Sequence, residues 1–205
     1  MKFRKYFKIV IKQRYPETGD SILLETDSKY LLISKDTGFS KVSSNPIDKR
    51  LDFTAYFLAL IQVLEGKGVD YESIKIICLE ITYNYVSPKN EFQRWLKRLP
   101  LKLLNSGFAS PLIKIMDRKI SKRGHPDGFV AKIITDKSET YGLGYGFDIL
   151  ECGICKLFKK YNNEKYSSIL CEVDRFTSSL AGLDLIRNGT IANGAEKCDF
   201  RFKRK

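Results

Sequence analysis

Apolar positions through the first 125 residues recur at helical spacing. Leu51, Ala55, Leu58, Ala59 and Gln62 run along one helix, which Asn45-Pro46 would open as cap and first-turn proline. Gly66-Lys67-Gly68 would close it. Asp70 begins a second helix, whose apolar face is Ile74, Ile77, Cys78 and Ile81 at 3-4 spacing. A third runs from about Pro88 to Leu104, with Phe92, Trp95, Leu96, Leu99 and Leu103 beside a basic face of Arg94, Lys97, Arg98 and Lys102. Ser110-Pro111 would cap a fourth that stops at Arg123-Gly124, and Gly107, Gly124 and Gly128 punctuate the links.

Beyond His125-Pro126-Asp127-Gly128 the period shortens. Phe129 to Ile134 is β-branched and Thr140 to Leu150 is rich in glycine and aromatics, so both read as strands. A short helix follows Cys155, and a longer one covers about Ser168 to Ala181. Leu183–Ile191 and Cys198–Lys203 then read as a terminal hairpin, in which Phe200 and Phe202 alternate with Arg201 and Lys203. The expected fold class is therefore α+β. A helical part, 1–126, precedes a mainly antiparallel β-β-α-β-β part, 127–205, within one domain.

Composition narrows the function classes. The 205 residues, 43% hydrophobic and 29% charged, suit a globular chain with a real core. The apolar run Tyr56 to Ile61 is far short of the roughly 18 residues a bilayer span needs. The basic N-terminus lacks the core of a signal peptide. Five cysteines, an odd number, favour reduced thiols and a cytoplasmic location over a disulfide framework.

The net charge of +12 is unevenly placed. Residues 1–16 carry +6 and residues 89–126 carry +8, against −4 over 17–88 and +2 over 127–205. Of the 36 cations 25 are lysines, which suit solvated helix faces better than base or phosphate readout. No motif of the known nucleic-acid readers is present, which argues against a nucleic-acid partner.

Candidate chemistry lies in the C-terminal third, which holds Cys152, Cys155, Cys171 and Cys198. All four fall near the edges of expected elements, where side chains can converge on a common pocket. Cys171 and Asp174, three apart, share a helical face with Arg175 beside them. His125, the only histidine, reads as a surface turn residue, and Cys78 as a packed hydrophobe.

Four ordered segments carry a resemblance: Phe147-Asp148-Ile149-Leu150-Glu151-Cys152, Leu170-Cys171-Glu172-Val173-Asp174, Arg187-Asn188-Gly189-Thr190-Ile191-Ala192-Asn193-Gly194 and Cys198-Asp199-Phe200-Arg201-Phe202. Together, and chiefly over 128–205, they resemble the L-2-amino-thiazoline-4-carboxylic acid hydrolase family. The resemblance implies hydrolytic opening of a thiazoline ring or a related cyclic amidine, giving a carbamoyl-cysteine-type product without an organic cofactor. On it Cys171 is nucleophile or pocket thiol, with Cys152 and Cys198 as further candidates, and Asp174 is general base or orients water. Arg175 or Arg187 would meet a substrate carboxylate by a two-point hydrogen bond, with Thr190 and Gly194 completing the binding side.

Plainer roles stand beside these. Cys198 can fill the hairpin interior, Cys155 can simply pack, and Asp199 and Arg201 can form cross-strand pairs. A fainter similarity to the small-molecule-binding domain of vinyl reductases admits a non-catalytic alternative. In it the cysteines hold a small molecule or zinc, and the helical half docks a partner. Zinc is the weaker expectation, since only Cys152 and Cys155 form a close-spaced pair where structural sites usually have two.

Overall fold

The structure, a computed structural model, describes residues 2–103 and 109–205. Among these residues eight helices and four strands follow in the order α1 (Arg4–Arg14), α2 (Gly19–Thr37), α3 (Arg50–Gly66), α4 (Tyr71–Val86), α5 (Glu91–Leu103), α6 (Ala109–Ile120), β1 (Val130–Ile134), β2 (Gly146–Glu151), α7 (Gly153–Lys160), α8 (Ser167–Leu180), β3 (Leu183–Ile186) and β4 (Cys198–Arg204). The fold is α+β, with the helices leading and the strands C-terminal. The helix end expected at Leu104 and the link at Gly107 lie outside the described residues, as do the side chains of Lys102 and Leu103.

Helix α3 is buried on almost every side, from Leu51 to Leu64, and so is a central helix rather than the one-faced element its spacing suggested. Around it α1, α2 and α4 close one apolar cluster, which also takes in Leu157 and Phe158 of α7 and Ile169 of α8. Phe7 sits against Tyr56 and Phe57 with ring centroids 4.6 and 4.9 Å apart. Three helices are tied at Asp27 of α2, which accepts from Tyr56 Oη at 2.7 Å and from Arg4 Nε at 2.9 Å. Lys12 and Arg14 likewise pair with Asp20 and Glu80, so part of the N-terminal charge is neutralised by the acidic stretch that follows it. Helix α4 starts as expected: the Asp70 carboxylate accepts from Ser73 N at 3.0 Å, and Ile74, Ile77, Cys78 and Ile81 are buried.

The four strands form one antiparallel sheet in the order β1-β2-β4-β3. Ile149 lies opposite both Ala131 and Cys198, and Phe147 opposite Phe200, so one face is continuously apolar. With Leu51 and Ile120 this face makes a second apolar cluster, and Ile154 packs against both clusters. On the other face Asp148 stands opposite Asp199, a like-charge pair that costs energy unless each carboxylate is engaged. Asp148 takes Arg201 at 2.8 Å and Lys197 at 2.6 Å, while Asp199 accepts the backbone N–H groups of Asn188 and Gly189 at 3.0 and 2.9 Å. Arg201 thus makes its cross-strand pair and Asp199 instead braces the turn after β3.

Two local expectations change. The strand expected from Thr140 begins only at Gly146, because Tyr141, Gly142 and Gly144 all adopt positive φ and the chain turns there. Asn45 and Pro46 do not open α3; 46–49 form a turn, with Ile47 N donating to Asn45 Oδ1 at 3.0 Å. That turn clasps β1. Asn45 Nδ2 donates to Phe129 O at 2.9 Å, and the buried Asp48 accepts from Phe129 N at 2.8 Å. The clasp fixes the start of α3, and with it Arg50, against the sheet.

Candidate functional site

The site forms where β2, α7, α8 and β4 meet the first turn of α3. Strand β2 ends at Glu151, and Cys152 is the extended residue before α7. The turn between them is tight. A Cβ on Gly153 would sit 3.0 Å from Asp127 O and 3.1 Å from the Phe129 ring, so glycine permits the close approach. Cys155 therefore lies in the first turn of α7 rather than ahead of it. Helix α8 presents Cys171 and Asp174, β4 begins with Cys198, Arg187 follows β3, and Arg50 opens α3.

These side chains line one small cavity of about 30 Å³, which holds Cys152, Cys155, Cys171, Cys198, Asp174, Arg187 and Arg50 in its wall. Such a volume has room for roughly one or two water molecules. A second cavity of about 330 Å³ lies alongside, lined by Lys49, Phe53, Thr54, Tyr85, Val173 and others, and its wall shares Asp174 and Arg50 with the first. That larger volume is at the low end of small-molecule sites.

The charges are arranged around Asp174. Arg187 Nη1 lies 3.2 Å from Asp174 Oδ2, and its Nη2 donates to Cys171 O at 3.0 Å. The guanidinium also rests over the Phe200 ring, 5.1 Å from its centroid. Only 6% of the Arg187 side chain is exposed, and both of its recorded hydrogen bonds go to α8. Arg50 differs: it stands 3.7 Å from Asp174 Oδ1 with 51% of its side chain open to solvent. Burial raises the Asp174 carboxyl above the ordinary 3.8, and Arg50 and Arg187 oppose that shift.

The thiols are free. Burial, reinforced by the charge of Asp174, pushes Cys171 up to about 12. Contact with the Cys155 thiol, then burial, holds Cys152 well above its ordinary value, and burial also raises Cys198. Cys171 Sγ lies 3.9 Å from Ser167 O one turn back, and Cys198 Sγ accepts from Ile191 N at 3.2 Å. Among the described residues no group of three or more His, Cys, Asp or Glu side chains is arranged to hold a metal ion.

Of the residues expected on the binding side, the structure brings in Arg187 and leaves three outside the cavity. Arg175 is exposed: it is turned about 100° from Asp174 around α8, toward solvent. Thr190 is buried as the cap of a short 3₁₀ turn, accepting from Asn193 N at 3.2 Å. Gly194 closes that turn at φ +86. His125 lies in its own turn, stacked on Phe39 at 3.8 Å. Arg50 was not foreseen. It is 124 residues from Asp174 in sequence, and only the clasp on Phe129 brings it there.

The family model for L-2-amino-thiazoline-4-carboxylic acid hydrolase matches residues 78–202, more than half of the chain. The chain belongs to this family. The match reaches well upstream of the motif region around 128–205, to α4, α5 and α6, so the helices that wall the larger cavity are partly within it. No curated protein and no solved structure matches the chain. Every thiol of the cavity, Asp174 and Arg187 fall inside the hydrolase-family segment, whereas Arg50 and Lys49 precede it.

Proposed function

We propose that the chain is a hydrolase that opens a small, carboxylate-bearing cyclic amidine, with 2-aminothiazoline-4-carboxylate as the reference substrate. The observation that carries this reading is the position of Asp174 and Arg50 in the shared wall between the water-sized chamber and the larger cavity. The heterocycle occupies the larger cavity, its carboxylate meeting Arg50 and Lys49, and water waits in the thiol-lined chamber. Asp174 takes a proton as water adds to the ring carbon between nitrogen and sulfur. The carbon–sulfur bond then breaks, and the same proton passes to the departing sulfur. One water is consumed per ring, and the product is an N-carbamoyl-cysteine with a free thiol.

A raised carboxyl holds a proton more readily than an ordinary one, which suits carrying it from water to the departing sulfur. The raised thiols support lining roles for Cys152, Cys171 and Cys198 over nucleophilic ones, because the thiolate is the reactive form. Arg187 acts through Asp174 and is a positioning residue. Free cysteines fit a reducing, cytoplasmic setting, and the two apolar clusters bridged by Ile154 fit one α+β domain. The test is incubation of the purified chain with 2-aminothiazoline-4-carboxylate while free thiol is followed. Protein-dependent release supports the reading. No thiol release by the native chain, at any pH tried, overturns it.

A further inference from the structure

Among the described side chains, the first two turns of helix α5 expose their apolar residues. Phe92 is 68% exposed, Trp95 47% and Leu96 49%, and the Phe92 and Trp95 rings stack with centroids 6.0 Å apart. Arg94 and Arg98 are exposed on the same helix. Helix α6 repeats the arrangement. It turns Ile120 and Asp117 toward the sheet, Asp117 accepting from Ile133 N at 2.7 Å, and exposes Leu112, Ile115 and Met116 among Lys114, Arg118 and Lys119. The segment 89–126 carries ten cations and two acids. Glu91 pairs with Arg94, Asp117 is held by the backbone of β1 and Glu151 takes Arg123, which still leaves the segment a large positive excess.

We propose that α5, with α6 beside it in sequence, docks the protein on an anionic lipid surface. The proposal is independent of the reaction assigned above. A strongly two-sided helix with Trp, Phe and Leu on one side and Lys and Arg on the other is the form that lies in the plane of a membrane interface. Its 13 residues span about 20 Å, too short to cross a bilayer. A protein partner fits less well: six of the ten cations are lysines, which are depleted in protein interfaces but add attraction to an anionic headgroup layer one by one. A nucleic acid would stack on Phe92 and Trp95, yet leave Leu96, Leu112 and Ile115 in water.

Trp95 is the only tryptophan, so its emission reports this face alone. With the full chain and phosphatidylserine–phosphatidylcholine vesicles at low salt, the emission shifts to the blue and the protein floats with the lipid. With pure phosphatidylcholine, or at high salt, both signals are lost. Phe92→Ser with Leu96→Ser, which keeps the probe, weakens partition roughly tenfold or more. Lys97→Glu with Arg98→Glu does the same, and circular dichroism of both variants stays that of the native chain. The proposal is overturned by an unshifted Trp95 on anionic vesicles, or by equal binding to neutral ones. A dimer dispersed by Phe92→Ser would also overturn it, as would nucleic-acid binding indifferent to Phe92 and Leu96.

Discussion

Arg187 and Asp174 form a nearly buried ion pair at 3.2 Å, with 6% and 14% of their side chains exposed. The same guanidinium holds the Cys171 carbonyl, so the two ends of the α8 site are referenced to one rigid group. Removing one member of such a pair leaves the other charge buried. Arg187→Met should therefore destabilise the protein by about 3 kcal/mol in a denaturant titration. Replacing Asp174 by Leu in that background should recover part of the loss while leaving the protein inactive.

Asp174 sets a pH dependence whose sign follows from its raised carboxyl. From 3.8 up to the raised value the native state keeps a proton that the unfolded chain has lost, so stability falls as pH rises through that window. Asp174→Asn should flatten this part of the stability–pH curve. Activity runs the other way, rising with pH as the base form appears. In Arg187→Met the acid limb of the pH–rate profile should move to higher pH, because a positive charge that favours the carboxylate is gone.

The thiols should be sluggish. A Cys171 held at about 12 instead of the ordinary 9.0 exposes about a thousandfold less thiolate at neutral pH. Mass-spectrometric timing of iodoacetamide labelling, site by site, should find Cys171 slower than an unfolded-chain cysteine by about that factor. Labelling at the unfolded rate would contradict the raised thiol, and labelling above it would show an activated nucleophile.

The two arginines near the α8 site should separate cleanly. Arg50→Gln should raise KM for a carboxylate substrate by roughly tenfold to a hundredfold with a smaller change in kcat, the scale of one charged hydrogen bond. Arg175→Gln, an exposed change off the cavity, should leave both within about twofold. A larger rise in KM from Arg175→Gln than from Arg50→Gln would place the carboxylate on α8 rather than on α3.

Much of this was legible in the sequence because it is local. The Asp70 cap, the buried side of α4 and the alternation through Cys198, Phe200 and Phe202 all follow from spacing, and the structure repeats them. The turn at 141–144 was hidden by composition, since glycine and aromatics suit strands and positive-φ turns alike. The site divides the same way. Cys152, Cys171 and Cys198 sit near element edges, Asp174 shares a helical face with Cys171, and the fold gathers all four round one cavity. Arg50 depends on Asn45 and Asp48 reaching Phe129, more than 80 residues away, and no periodicity carries that information. Arg175 shows the limit of helical spacing: one step past Asp174 is enough to turn a side chain out of the cavity.

The most direct test compares Asp174→Asn with Cys171→Ser in one thiol-release assay on 2-aminothiazoline-4-carboxylate. With Asp174 as the base, Asp174→Asn loses about a hundredfold or more in kcat, while Cys171→Ser stays within about tenfold of the native chain. The opposite order, with Cys171→Ser inert and Asp174→Asn active, would contradict the account.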